Sequence, residues 1–142
     1  MKDIAALGAV TNLSSVYLAG NQIADLSPLF KQRRMSSLYA DGNPLANIKG
    51  IGALATLMTL SLSSTGIADV SALDGLGGLY YLFIEKNKIA DLKPLHAMIK
   101  KDNDGPKRFS PFINIYLAGN PLSDEAKKLV ESMKQMGARV NQ

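Results

Sequence analysis

The chain has 142 residues, 46% of them hydrophobic, which is enough for a continuous core in one ordinary domain. It contains no cysteine, so disulfide bonds, thiolate metal sites and cysteine nucleophiles are excluded. The net charge of +4 comes from lysines and arginines scattered along the chain rather than gathered in one basic run, so nucleic acid is not expected as a partner.

No apolar stretch approaches the roughly 20 residues that are needed to span a bilayer. The first residues, Met1 to Ile4, do not begin a signal peptide with an apolar centre. We therefore expect the sequence as given to be soluble and to have no membrane span. A bacterial secreted or cell-surface protein stays open, because trimming would have removed a signal.

A repeat of the form LxxLxLxxN runs through the chain. Its five copies begin at Leu13, Met35, Leu57, Leu79 and Phe112, and they end at Asn21, Asn43, Thr65, Asn87 and Asn120. The first three steps between copies are 22 residues, whereas the last is 33 because of an 11-residue insertion. Within each copy the apolar residues at the fourth and sixth places alternate with outward ones, which predicts a strand with one buried face.

The second half of each repeat predicts a short helical turn. Its pattern is Ile23-x-Asp25-Leu26-x-Pro28-Leu29, it recurs at 67–73 and 89–95, and 45–48 is a looser version. Asp25, Asp69 and Asp91 are expected to be N-cap residues, with proline in the first turn where it occurs. Capping, rather than catalysis, explains these carboxylates.

The two halves together resemble the 22-residue class of leucine-rich repeats in bacterial internalins and in the leucine-rich regulatory subunit of protein phosphatase 1. The resemblance covers the chain from Asp3 to Leu122. It implies an α/β fold, a right-handed leucine-rich-repeat solenoid with about five parallel strands on its concave face. Short helical or 3-10 turns are expected on the convex face. The resemblance also implies a protein-binding module rather than an enzyme.

We expect one leucine-rich-repeat domain over 1–142, with a partial repeat at 3–12, five repeats at 13–122 and an insertion at 96–111. A capping helix is expected at 123–137, because one helical face carries Ala126, Leu129, Val130 and Met133. The amino end has no such cap. It therefore suggests either a fragment of a longer protein or self-association through this end.

The residues that end the repeats are expected to have a structural role. Short amides at Asn21, Asn43, Asn87 and Asn120 can satisfy backbone groups of their own turn and of the adjacent turn, so they should form a ladder. Thr65 departs from this column, and its hydroxyl can replace only part of the bonding of an amide.

Candidate binding residues lie at the outward strand positions, which face the concave side. Exposed aromatic residues are enriched among interface hot spots, but aromatic residues in neighbouring strands can also simply pack as cross-strand pairs. The acids among the candidates are able to select a basic segment, but they are too far apart to act as an acid and base pair. The candidates are Tyr17, Tyr39, Tyr81, Phe83, Tyr116, Asp41 and Glu85.

Two basic segments are further candidates for partner contact. The insertion carries Lys100, Lys101, Lys107 and Arg108, and its first part continues a helical pattern. Where it leaves the regular stack, it is either a binding loop or a solvated bulge. The cluster Lys31, Arg33 and Arg34 either binds an acidic surface or keeps the convex side soluble, and Gln32 replaces an expected Leu or Ile. Because His96 is the only histidine and phosphate-binding motifs are missing, we expect no catalytic residues, metal or cofactor.

The sequence therefore predicts a protein-protein interaction module that binds a protein or peptide on its concave face. Two alternatives stay open at this stage. The chain is the recognition arm cut from a larger enzyme or cell-surface protein, or it is a structural spacer with no ligand on the concave face.

Overall fold

The computed structural model describes residues 1–142 and contains a single sheet of six parallel strands, which are adjacent in chain order. The strands are β1 (Ser15–Tyr17), β2 (Ser37–Tyr39), β3 (Thr59–Ser61), β4 (Tyr81–Phe83), β5 (Asn114–Tyr116) and β6 (Arg139–Asn141). The α-helices are α1 (Lys93–Asp104) and α2 (Asp124–Gln135). The 3-10 turns are Ala5–Ala9, Ser27–Leu29, Ile51–Ala53 and Ser71–Leu73.

The strands pair equivalent positions of successive repeats. In β1 to β5 the middle residue of each strand points into the core, and these residues pair with one another across the sheet as Val16, Leu38, Leu60, Leu82 and Ile115. The core is one continuous cluster of 36 buried residues that runs the length of the stack. Each fully buried Leu or Ile contributes on the order of 1.5–3 kcal/mol, and the contribution is shared between neighbouring repeats. The predicted stack of strands with one buried face is confirmed.

The two sides of the stack have different spacings. Parallel strands repeat about every 4.8 Å, whereas packed helices need about 8–10 Å between their axes. Helices α1 and α2 pack against each other, and α1 also contacts the 3-10 turn Ser71–Leu73 of the preceding repeat. The stack therefore curves with the sheet on its inner, concave side.

One acidic or amide residue per repeat shapes the turn that follows it. The predicted caps Asp25, Asp69 and Asp91 each accept a 2.8 Å hydrogen bond from the backbone N–H two residues later. Asp3 and Asn47, in the same column, make the same contact. The prediction that these acids are N-cap residues is wrong by one position, because the residue after each of Asp25, Asp69 and Asp91 is the N-cap and the helical element starts one residue later. Their local structural role is nevertheless visible.

The asparagine ladder has the contacts expected of it. The amide nitrogen of Asn43 donates to Leu18 and Ala40, the carbonyls of two successive repeats. The amide nitrogen of Asn120 donates in the same way to Ile84 and Leu117. Each of these side chains therefore joins its own turn to the turn of the preceding repeat.

Thr65 fits the ladder with fewer bonds. Its hydroxyl donates to the carbonyl of Leu62 at 2.7 Å, within its own repeat, and its backbone N–H donates to Asn87. In the preceding repeat the N–H of Leu45 bonds to the carbonyl of Asn43. Because the N–H of Leu45 already has an acceptor in its own turn, it does not need a side-chain oxygen from position 65. A hydroxyl is therefore sufficient there.

The first part of the insertion is absorbed into a helix rather than leaving the stack as a loop. Helix α1 begins at Lys93, before the predicted insertion, and its residues Leu95, Met98 and Ile99 are buried in the core. The helical pattern expected in the first part of 96–111 is therefore present, and only the residues after Asp104 are left for a loop or bulge. Its apolar residues recur at helical spacing, so they extend the convex turn of this repeat into three turns of helix.

The return from α1 to β5 is organised by a buried carboxylate that sequence reasoning missed. Asp102 accepts hydrogen bonds from the backbone N–H groups of Arg108, Phe109 and Ser110 at 2.8–3.1 Å. Burial raises the pKa of Asp102, but the hydrogen bonds from Ser110, Arg108 and Phe109 together outweigh it, so the pKa is lowered from its usual value.

The start of the fifth repeat departs from the pattern. Phe112, placed by the sequence where other repeats have a buried Leu or Met, is 48% exposed, and Ile113 is buried in its place. The backbone N–H groups of both residues bond to the carbonyl of Phe109. This extra turn directs Phe112 outward and Ile113 inward, while β5 keeps its register with β4.

The carboxyl end contains one strand more than predicted. Helix α2 has Ser123 as its N-cap, which accepts a 3.0 Å bond from Ala126, and its buried face carries Ala126, Val130 and Met133 as expected. The chain then turns at Gly137, which has a positive φ of 100°, and forms β6 beside β5. The sequence of β6 lacks the LxxLxLxxN pattern, so repeat matching did not find it.

At the amino end, Gln32 occupies a position where the other repeats have an apolar core residue. Gln32 is buried, and its amide donates to the carbonyl of Val10 at 2.7 Å and to that of Leu7 at 3.4 Å. It therefore ties the first 3-10 turn to the stack. Leu7 is half-buried and Val10 is exposed at this end, and self-association there stays a prediction.

We predict that Asp102→Asn lowers the free energy of unfolding by about 1.5–3 kcal/mol at neutral pH, because an amide cannot accept all three backbone bonds. A lowered native pKa gives stability that is complete above the unfolded value of about 3.9 and is lost as the pH falls through the native value. The difference between wild type and variant should therefore shrink below about pH 4. Urea titrations across pH measure it.

The matched control is Asp104→Asn, since Asp104 is exposed and its carboxylate contacts only Lys100. This variant should change the unfolding free energy by less than about 0.5 kcal/mol. Equal losses in the two variants, or a loss at Asp102 that does not depend on pH, would contradict the role assigned to Asp102.

Candidate binding surface on the concave face

The concave face consists of three columns of outward side chains. The first two are set by strand register, and the third follows the strand ends, where backbone N–H groups bond to the next repeat. The first column is Ser15, Ser37, Thr59, Tyr81, Asn114 and Arg139. The second is Tyr17, Tyr39, Ser61, Phe83, Tyr116 and Asn141. The third is Ala19, Asp41, Ser63, Glu85 and Ala118.

The structure brings the five predicted aromatic residues together in two groups. Tyr17 and Tyr39 stack with ring centroids 4.7 Å apart and planes within 4°. Phe83 and Tyr116 stack at 4.6 Å, and Tyr81 lies 6.4 Å from Phe83 in the neighbouring column. We call these five residues the aromatic strip. Ser61 separates its two groups.

The rings of the aromatic strip pack on one another and still present area to solvent. Tyr17 is 73% exposed and Tyr81 is 45% exposed, while Tyr39, Phe83 and Tyr116 are half-buried. None of the five belongs to the core cluster. Stacking at strand spacing holds Tyr17 against Tyr39 and Phe83 against Tyr116, and it leaves the outer edges of the rings open.

The two predicted acids differ in their surroundings. Asp41 is half-buried, and its Oδ1 accepts hydrogen bonds from the Ser61 hydroxyl at 2.5 Å and from the backbone N–H of Ser63 at 2.9 Å. The carboxylate of Glu85 makes no hydrogen bond or ion pair within the chain, although its backbone N–H donates to Ser63. Asp41 therefore supports the face, and Glu85 is free for a ligand.

Sequence reasoning missed several residues of this surface. Strand β6 places Arg139 beside Asn114 and Asn141 beside Tyr116. Tyr80 and Phe112 form an exposed aromatic pair, 39% and 48% exposed, with centroids 6.3 Å apart. Tyr80 could have been found as an aromatic residue just before β4, outside the repeated apolar positions. Arg139 carried no signal, because its strand lacks the repeat pattern.

The basic segments lie outside the concave face. Lys31, Arg33 and Arg34 are exposed beside the buried Gln32, after the 3-10 turn Ser27–Leu29. In the insertion, Lys100 pairs with Asp104 along α1. These residues are not brought near the aromatic strip by any strand pairing, and they form a separate surface.

A groove on the surface also lies elsewhere. It has a volume of about 690 Å³ and is lined by residues 46–50 and 66–72 of two neighbouring turns, mostly Ala, Gly and Ile. At its edge, Asn47 and Asp69 each use a side-chain oxygen to accept a backbone hydrogen bond. The backbone N–H and the hydroxyl of Ser71 lower the pKa of Asp69. These polar groups are occupied in shaping the turns, so the aromatic strip is the better candidate.

The structure contains no group of three or more His, Cys, Asp or Glu side chains with a spacing suited to a metal ion. Neither of its two helices, each 12 residues long, has the length and apolar character of a membrane-crossing segment.

Comparison with solved structures finds internalins from Listeria monocytogenes. An internalin (inlF) superposes with a TM-score of 0.64 at 20% identity, over 99% of this chain and 46% of that chain. An internalin C2 (inlC2) gives a TM-score of 0.51 at 23% identity, over 95% of this chain and 74% of that one. This chain thus spans about half the length of the first. The likeness confirms the predicted leucine-rich-repeat solenoid.

No protein-family model matches the sequence, and no curated protein matches it either. The resemblance to the regulatory subunit of protein phosphatase 1 stays a prediction.

The different surroundings of the two acids lead to a stability prediction. Asp41→Ala should lower the free energy of unfolding by about 1–2 kcal/mol, since the hydroxyl of Ser61 and the N–H of Ser63 lose their acceptor. Glu85→Ala should stay within about 0.5 kcal/mol of wild type. Urea unfolding of both variants measures the difference, and an equal effect would contradict the assignment of separate roles.

Proposed function

We propose that this chain is a protein-binding module that holds a protein or peptide against the concave face, through the aromatic strip. The observation that carries the proposal is the exposure of stacked rings that the core does not use. Rigid aromatic side chains bury a large area with little loss of rotamer entropy, which is the property of interface hot spots.

In the alternative, the rings only pack on one another as a cross-strand ladder and bind no ligand. A ladder needs rings that cover one another, and Tyr17–Tyr39 and Phe83–Tyr116 meet this condition. Tyr81 does not, since its partner in the next strand is Asn114 and its partner in the previous strand is Thr59. An exposed ring between two polar neighbours gains little from the ladder, and this favours a ligand.

A second candidate is that the module is the recognition arm of a larger protein. The comparison supports it, because this chain spans 46% of the internalin (inlF) chain. Both candidates place the ligand on the same face of the sheet. Neither requires catalysis, and the proposal assigns no enzymatic role to Asp41 or Glu85.

The test uses peptides selected from a random phage-displayed library against the wild-type chain. Replacing Tyr39, Phe83 and Tyr116 with Ala should weaken the selected peptides by about 30-fold or more, the equivalent of about 2 kcal/mol for one lost hot spot. Isothermal titration calorimetry gives the affinities, and far-UV circular dichroism confirms that the variant is folded.

The matched control replaces Lys31, Arg33 and Arg34 with Ala, three exposed residues away from the concave face. This variant should bind the peptides as wild type does. Unchanged affinity in the folded aromatic variant, or a loss confined to the control, would overturn the proposal.

A further inference from the structure

The column of rings on the concave face has one gap. Tyr17 and Tyr39 lie 4.7 Å apart, and Phe83 and Tyr116 lie 4.6 Å apart, which is the spacing of adjacent strands. Between Tyr39 and Phe83 the register places Ser61. The backbones that carry Tyr39 and Phe83 are therefore two strand spacings apart, about 9.5 Å.

The gap is the size of one missing ring. With both rings upright on their strands, a flat group placed midway between Tyr39 and Phe83 would lie about 4.7 Å from each ring, the separation that the existing stacks have. Ser61 lies beneath the gap and is only 6% exposed, so neighbouring side chains cover it in the unbound chain and have to move aside to admit a ligand group. Its hydroxyl is bonded to Asp41, so Ser61 is held in position.

The charges around the gap have one sign. In the three columns on β1 to β5 the only charged side chains are Asp41 and Glu85, in a chain whose net charge is +4. Lys86, which follows Glu85, lies against Gly119 in the next repeat. Asp41 and Glu85 lie in the third column, on the two sides of Ser63. The Glu85 carboxylate has no partner within the chain.

We propose that this gap is a subsite for an arginine side chain of the ligand. The inference rests on the proposed function, since it assigns one position of a ligand bound to the concave face. The guanidinium lies flat between Tyr39 and Phe83, above Ser61, and pairs with the carboxylate of Glu85. A planar cation within about 6 Å of a ring centroid is attracted to its face, and its fork of donors matches a carboxylate.

Other occupants match only part of this chemistry. A lysine ammonium would pair with Glu85 but has no flat face to lie against the two rings. A neutral aromatic side chain would stack but would leave the carboxylate without a partner. Arginine alone is both planar and positively charged at neutral pH.

The experiment uses the tripeptide acetyl-Gly-Arg-Gly-amide as its probe, with lysine and citrulline counterparts. Nuclear magnetic resonance follows the ring signals of Tyr39 and Phe83 during titration. The arginine probe should shift both rings saturably and should bind about two- to fivefold more tightly than either counterpart. If the citrulline probe binds as tightly as the arginine probe, the charge of the guanidinium has no role. If the lysine probe binds as tightly, stacking between the two rings has no role. Either result overturns the subsite.

Two variants locate the effect. Ser61→Phe supplies the missing ring and should abolish the arginine preference, while Glu85→Gln should reduce it to that of citrulline. Ser15→Phe adds a ring at the edge of the same face and should leave the preference intact. Circular dichroism establishes that each variant is folded, and Glu85→Gln keeps the test informative if Ser61→Phe is not.

The outcome separates this inference from the function on which it rests. If library-selected peptides need the aromatic strip but show no preference for arginine and bind equally to Glu85→Gln, the subsite is wrong and the concave-face function stands. If the selected peptides ignore the aromatic strip, the proposed function itself fails. Absence of any saturable shift at Tyr39 and Phe83 with the arginine probe also overturns the subsite.

Discussion

The fold depends on side-chain amides that connect each turn to the turn of the neighbouring repeat. Strands of only three residues supply few backbone hydrogen bonds, and the carbonyls just beyond them would be left without donors. Asn43, Asn87 and Asn120 donate to such carbonyls in their own and the preceding repeat. Because these bonds are possible at only one alignment of the repeats, they fix the register of the sheet, and the register then determines which side chains share a column.

A division of roles among the residues follows from this constraint. Inward apolar residues build the core, the asparagines satisfy the backbone, and the acidic column at Asp25, Asp69 and Asp91 shapes the convex turns. Apart from Asp41 and Ser61, which bond to each other and support the face, the outward positions carry none of these duties. They are therefore able to vary without loss of the fold, and in this chain they carry rings, hydroxyls and two acids on a surface of fixed spacing. The proposed function uses the side chains that the architecture leaves unassigned.

The periodic part of the structure was predictable from the sequence, and the aperiodic part was not. Columns such as Val16, Leu38 and Leu60 repeat in the sequence as they repeat in space, so their burial and register followed from counting. The exchange of Phe112 for Ile113 depends on a turn that Phe109 closes, and β6 depends on docking of α2; neither leaves a periodic trace. In the candidate site, the aromatic columns were predicted, but the engagement of Asp41 by Ser61 requires two side-chain rotamers that sequence does not specify.

The most direct test of this account is the effect of Asn87→Ala on stability and amide hydrogen exchange, with Asn21→Ala as the comparison. Asn87 accepts from the N–H groups of Thr65 and Gly66 and donates to two carbonyls, whereas Asn21, beside the edge strand, has no preceding strand to join. We expect Asn87→Ala to lower the unfolding free energy by at least about 2–3 kcal/mol and to accelerate exchange at Thr65 and Gly66. Asn21→Ala should lower it by less than about 1 kcal/mol. Equal, small losses in the two variants would contradict the claim that these amides hold the repeats in register.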